Sequence, residues 1–166
     1  MPLLTCDALP ADARTWVFAA SRPLDDADAA TLLAPVDAYL ATWKAHGAPL
    51  TVGRELREGR FLVVGIDQRT AGASGCSIDA LYRTLQGLEA TLGTSLVSGG
   101  RVFWRSDDGT VHGGTRAEFA AAASRGEVGP ETQVFDTTVG SVGALATGFE
   151  RRAADSWHGQ LLASPR

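Results

Sequence analysis

Apolar and polar residues follow two different periods along this chain, and the switches between them mark its elements. Ile78, Leu81, Leu85, Leu88 and Leu92 recur at three- and four-residue steps, one apolar stripe of an amphipathic helix over 77–92 that Gly93 closes. Ala29, Leu32, Leu33, Val36, Leu40 and Trp43 form a second helical face, with Asp25, Asp26 and Asp28 at its start and Gly47 as its stop. Pro35 lies inside that face and predicts a kink or a split, because it has no backbone N–H to donate. Between the helices the period changes. Phe61-Leu62-Val63-Val64-Gly65-Ile66 is apolar without interruption, as a strand covered on both faces is. Leu50 to Leu56 alternates apolar with small or polar residues, and Arg57-Glu58-Gly59-Arg60 reverses it into 61–66 as a hairpin.

Strands at 14–20 and 101–105 complete an order of βαββαβ. The expected fold class is α+β, a ferredoxin-like split βαβ core with a small α/β C-terminal extension. That topology makes the first and third strands central, which suits the continuously apolar third strand. The core is expected over 1–100 with 101–105 as its last strand, and the extension over 101–166. Within the extension, Ser106-Asp107-Asp108-Gly109 is a turn, followed by a short returning strand at 110–112. Thr115-Arg116-Ala117-Glu118 matches a capping box opening a helix through Ser124, which Gly126 stops. Thr132 to Asp136 is a strand, Ser141 to Leu145 a helical turn, and the tail around Trp157 helical.

Composition narrows the classes of function. With 166 residues the chain can bury one core, or one core and a small module. A net charge of −4, with basic residues scattered and not interleaved with aromatics, argues against nucleic acid as a partner. No basic-then-apolar leader opens the sequence and its apolar runs are short of a membrane span, so the expected address is cytoplasmic and no membrane contact is expected. Lys44 is the sole lysine and follows no glycine-rich loop, which removes a phosphate-cradling nucleotide site. Schiff-base chemistry would also have to use it, on a solvated helix face. Two cysteines, Cys6 and Cys76, make no disulfide framework. No CxxC or HExxH spacing gathers a metal, and no cofactor is expected. The acid run Asp25-Asp26-Ala27-Asp28 lacks calcium-loop spacing.

The candidate chemistry gathers where the 61–66 strand gives way to the 77–92 helix. Ser74-Gly75-Cys76-Ser77-Ile78-Asp79 places a thiol beside a helix's free N–H groups, which favour anions and lower a thiol's pKa. Ser77 is expected as the N-cap and Asp79 in the first turn. Cys76 is then either a reactive thiol or a small side chain at a crowded turn, with Gly75 supplying the backbone freedom. Asp67, at the strand's end, is either a proton carrier or the ion-pair partner of Arg69. A thiol catalyst wants an imidazole, and among His46, His112 and His158 the expectation falls on His158. Ser74, Gly75, Ser77, Asp79 and Trp104 are the expected ligand-binding residues. Trp16, Trp43 and Trp104 all fall on apolar-patterned elements and suit a core.

These residues resemble a family of small bacterial proteins without an assigned activity. The likeness runs through Trp16-Val17-Phe18, Arg22-Pro23, His46-Gly47, Phe61-Leu62-Val63-Val64, the 74–79 motif, Val134-Phe135-Asp136 and Ser156-Trp157-His158. Its relatives often carry an ABC-transporter ATPase label, which the missing phosphate-loop lysine contradicts. Residues 103–145 resemble the small GYF-type modules, whose aromatic surfaces receive peptides. The likeness rests on Asp108-Gly109, the 116–123 helix, Arg125-Gly126-Glu127-Val128 and Thr132-Gln133-Val134-Phe135; Gly113-Gly114 stands where that pattern carries Gly-Pro, and its later tryptophan is missing. The resemblance implies a protein or peptide partner. The expected function is a binding or regulatory protein, with a homodimer through a free sheet face expected by analogy with ferredoxin-like sheets, and the alternative is a thiol-dependent transferase or hydrolase using Cys76.

Overall fold

The computed structural model describes residues 4–45, 48–49, 51–69 and 75–162. The chain is α+β and divides into two compact units: Met1–Val97 with Thr138–Ala146, and Ser98–Thr137 with Thr147–Arg166. Residues 138–146 therefore join the first unit, not the extension expected over 101–166. Among the described residues no helix is long and apolar enough to cross a membrane.

The first unit runs β1 (Arg14–Ala19), α1 (Asp26–Ala41), a short pairing of β2 (Lys44–Ala45) with β3 (Ala48–Pro49), β4 (Thr51–Arg57), β5 (Phe61–Asp67) and α2 (Gly75–Leu92). Its antiparallel sheet has the order β1-β5-β4. Every residue of β5 is buried, as its unbroken apolar run predicts. Leu62, Val64 and Ile66 pack in one cluster with Leu32, Val36 and Leu40 of α1 and Leu81, Leu85 and Leu92 of α2. Each such side chain removed from water contributes roughly 2 kcal/mol. On the alternate positions of β5, the Cys6 thiol faces the Val63 carbonyl at 3.8 Å, and a β-carbon on Gly65 would stand 2.8 Å from Leu9. The chain's own residues 4–9 thus pack against this face of the sheet.

Asp25 caps α1 by accepting from the Asp28 N–H at 2.8 Å, and the Asp28 carboxylate returns the contact to the Asp25 N–H. Contrary to the expected split, α1 continues through Pro35 as one helix. Burial of Leu32, Val36 and Leu40 on both sides of the proline outweighs the one lost backbone bond. The helix ends at Ala41, with Thr42 as its C-cap, rather than at Gly47, which lies outside the described residues. The β4–β5 hairpin turns through Glu58 (φ 58) and Gly59 (φ 59), the two positive φ angles that match the strands' twist.

Strand 101–105 does not join this sheet, so the expected four-stranded ferredoxin-like order is not seen. The outer edge of β1 is met by residues 139–141 instead. The Thr15 N–H donates to the Gly140 carbonyl at 3.1 Å, its hydroxyl to the Val139 carbonyl at 3.0 Å, and Arg14 bridges Ser141. β1 is therefore an edge strand of the three, and only β5 is central.

The second unit contains β6 (Arg101–Arg105), β7 (Val111–Thr115), α3 (Arg116–Ser124), β8 (Gln133–Phe135) and β9 (Glu150–Arg152), and α4 (Val142–Gly148) precedes β9 in the chain. The sheet order is β7-β6-β8-β9, antiparallel throughout. Val102, Phe119, Ala122, Val128, Val134 and Ala153 make its core, with Trp104, Trp157 and Leu161 packed against them. Gly126 at φ 77 ends the turn after α3, and the tail forms a 3₁₀ turn at Trp157–Leu161.

Candidate functional site

The sequence points to three places. At the first, β5 delivers Asp67 to its end, where Arg69 claims it. The Arg69 guanidinium lies 2.8 Å (Nη2) and 3.1 Å (Nε) from the carboxylate, and the Arg69 backbone N–H donates at 3.0 Å. Those hydrogen bonds hold the Asp67 carboxyl below its usual pKa, so it is a committed anion. Ser74 and His46 lie outside the described residues, as do the side chains of Gly75, Cys76 and Ser77. The backbone corrects one expectation: α2 starts at Gly75, so Ser77 is its third residue and not its N-cap, and exposed Asp79 falls beyond the first turn. Cys76 is the second residue of the helix.

At the second place, His158 of the Trp157–Leu161 turn is 1% exposed. Its ring stacks on Trp157 with centroids 3.9 Å apart and meets the edge of Phe119 at 6.2 Å. Nδ1 sits 2.7 Å from the Ser156 hydroxyl, while Nε2 is buried with no hydrogen-bond partner among the described residues. Burial pushes its pKa down to about 4; Asp136 opposes the shift, and Arg151 and Arg116 add to it. The imidazole is neutral and packed, with the Arg116 guanidinium carbon lying over the Trp157 ring at 5.1 Å. Asp67 and Cys76 belong to the first unit and His158 to the second.

The third place is a groove of about 330 Å³ in the second unit, lined by Trp104, His112, Gly113, Glu118, Ala121, Ala122, Arg125 and Glu127. Three elements build it. The β6–β7 register pairs Trp104 with His112, and their rings stack at 5.9 Å and 21°. Phe119 of α3 is fully buried and meets the Trp104 ring edge-on at 5.2 Å, fixing the indole from beneath. Gly114 of β7 lies close under α3, with the Glu118 β-carbon 3.3 Å from where its own β-carbon would stand. Trp104, expected both as core and as a binding residue, is half-buried: it packs on Phe119 and also lines the groove.

His112, Glu118, Ala121 and Arg125 are groove residues that the sequence does not single out as a set. The His112 position was legible, since a turn centred on Asp108 places residues 104 and 112 opposite one another. The part played by Glu118 was not, because its capping-box spacing masks it. Among the described residues no group of three or more His, Cys, Asp or Glu side chains is placed to hold a metal ion. No family model, curated protein or solved structure matches the chain.

Proposed function

We propose that the chain is a binding protein whose second unit receives a peptide along the Trp104 groove. The single observation that carries this is the groove's construction: a half-buried indole held by a core phenylalanine, a flanking imidazole and a floor of small residues. Rigid aromatic faces with small neighbours and a few polar groups are what extended peptides dock against. The resemblance of residues 103–145 to GYF-type modules supports the same function, and a cytoplasmic setting belongs to it. The first unit acts as a scaffold whose β-α-β-β-α order is ferredoxin-like, with residues 139–141 at the edge a fourth strand would take.

The test is to pan a random peptide library on the full chain and on an Ala121→Arg variant. Ala121 is exposed on α3, so the arginine fills the groove without emptying the core. Enrichment on the wild type that disappears with Ala121→Arg is the expected result. No enriched sequence, or equal enrichment on both proteins, overturns the proposal.

One observation favours a second function, a thiol-dependent enzyme. Cys76 lies in the first turn of α2, whose N–H groups have no partner within the helix. In that role the Cys76 thiolate adds to an acyl carbonyl carbon, the helix amides hold the oxyanion, and the carbonyl re-forms as the leaving group departs with a proton from water. Selective alkylation of Cys76 well below the ordinary thiol pKa of about 8.5 supports it, and an inert Cys76 removes it.

A further inference from the structure

The groove carries one charge that the fold does not use. Glu118 is the third residue of α3, and in a full capping box its carboxylate would turn back to the Thr115 N–H. Only half of that box forms: the Thr115 hydroxyl accepts from the Glu118 N–H at 3.0 Å. The carboxylate lies over Gly114 instead, where a β-carbon would stand 2.5 Å from Oε2. No described residue gives that carboxylate a hydrogen bond or an ion pair. The groove's cation, by contrast, is fully engaged: Arg125 reaches both carboxylate oxygens of Glu127, at 2.9 and 3.0 Å. With that pair satisfied within itself, Glu118 is the one carboxylate of the lining that no described residue engages, beside an indole and an imidazole.

We propose that the groove recognises an arginine side chain of the bound peptide, its guanidinium flat on Trp104 and its N–H fork on the Glu118 carboxylate. This rests on the peptide-receiving function proposed above and names the residue recognised. A guanidinium is planar, weakly hydrated and bidentate, so it meets an aromatic face and a carboxylate together. A lysine ammonium answers the charge but neither the fork nor the stacking surface. An acidic or phosphorylated peptide meets Glu118 unfavourably. The apolar stem of arginine also suits the Ala121 and Ala122 side of the groove.

The experiment uses heptapeptide libraries fixed at the central position as arginine, lysine, citrulline or glutamate, bound to the full chain. Citrulline keeps the shape of arginine without its charge. The arginine library is expected to bind about tenfold or more tightly than the citrulline library, with the gap shrinking as salt rises. Glu118→Gln keeps the side chain's size and the Thr115 cap, which uses only the backbone N–H. It is expected to close the arginine–citrulline gap while residual peptide binding persists. Equal binding of arginine and citrulline, or an arginine preference that survives Glu118→Gln, overturns the assignment. If retention is then still lost in Ala121→Arg, the peptide groove stands without its arginine; if no library binds at all, both fall.

Discussion

Gly114 and Glu118 compete for one place. Gly114 is buried on β7 with a backbone that other residues adopt, yet a β-carbon there would press the Glu118 carboxylate out of its position. What meets that β-carbon is mainly the free end of a flexible side chain, so the fold accommodates the change. Gly114→Ala is expected to cost less than about 1 kcal/mol in denaturant unfolding. It should nevertheless weaken an arginine-containing peptide as much as Glu118→Gln does. Unchanged peptide affinity in Gly114→Ala would show that the carboxylate's position is irrelevant to binding.

His158 gives the second unit a sensitivity to acid. Its pKa in the folded chain is about 4, against an ordinary 6.5. Above 6.5 both folded and unfolded chains hold the ring neutral, and stability does not depend on it. As pH falls from 6.5 towards 4 the unfolded chain takes up a proton that the folded one refuses, so stability is lost, by up to about 3 kcal/mol. His158→Phe keeps an aromatic ring against Trp157 and cannot titrate. Unfolding free energies measured at pH 7 and pH 4.5 should fall more for the wild type than for His158→Phe. Equal losses would show that the buried imidazole is not the group responsible.

Cys6 is closed to solvent, and burial, with Glu55 adding to it, pushes its thiol up to about 12. A maleimide at neutral pH is therefore expected to leave Cys6 unlabelled in the native chain and to label it once denaturant is added. Cys76 is the only other cysteine. Peptide mapping of native label thus reads Cys76 alone. Label on Cys6 before unfolding would contradict the covering of β5 by residues 4–9.

The Glu58–Gly59 turn is strained at its first position. Glu58 holds a φ of 58, a region that asparagine and glycine enter more cheaply. Glu58→Asn is expected to stabilise the chain by roughly 0.5–1 kcal/mol in denaturant unfolding, and destabilisation would argue against that turn geometry.

How far the sequence reached follows from which signals are local. The α2 stripe, the Asp25–Asp28 start of α1, the hairpin about Glu58 and the doubly covered β5 all rest on neighbouring residues, and all were legible. Sheet membership was not. Whether strand 101–105 lies beside β1 depends on what occupies the edge of β1, and there Thr15 is bonded to Gly140, distant from it in sequence. The site divides in the same way. Trp104 was visible as an aromatic on a strand, and the turn at Asp108 carries the register that brings His112 to it. Glu118 reads locally as a cap, and only the approach of Gly114 shows the carboxylate turned into the groove.

Intermolecular nuclear Overhauser effects between the Trp104 ring and a peptide retained by the full chain test the central claim most directly. Cross-peaks from the peptide to Trp104, His112 and the Ala121 methyl are the expected result. A bound peptide whose cross-peaks all arise from residues outside the groove would contradict it.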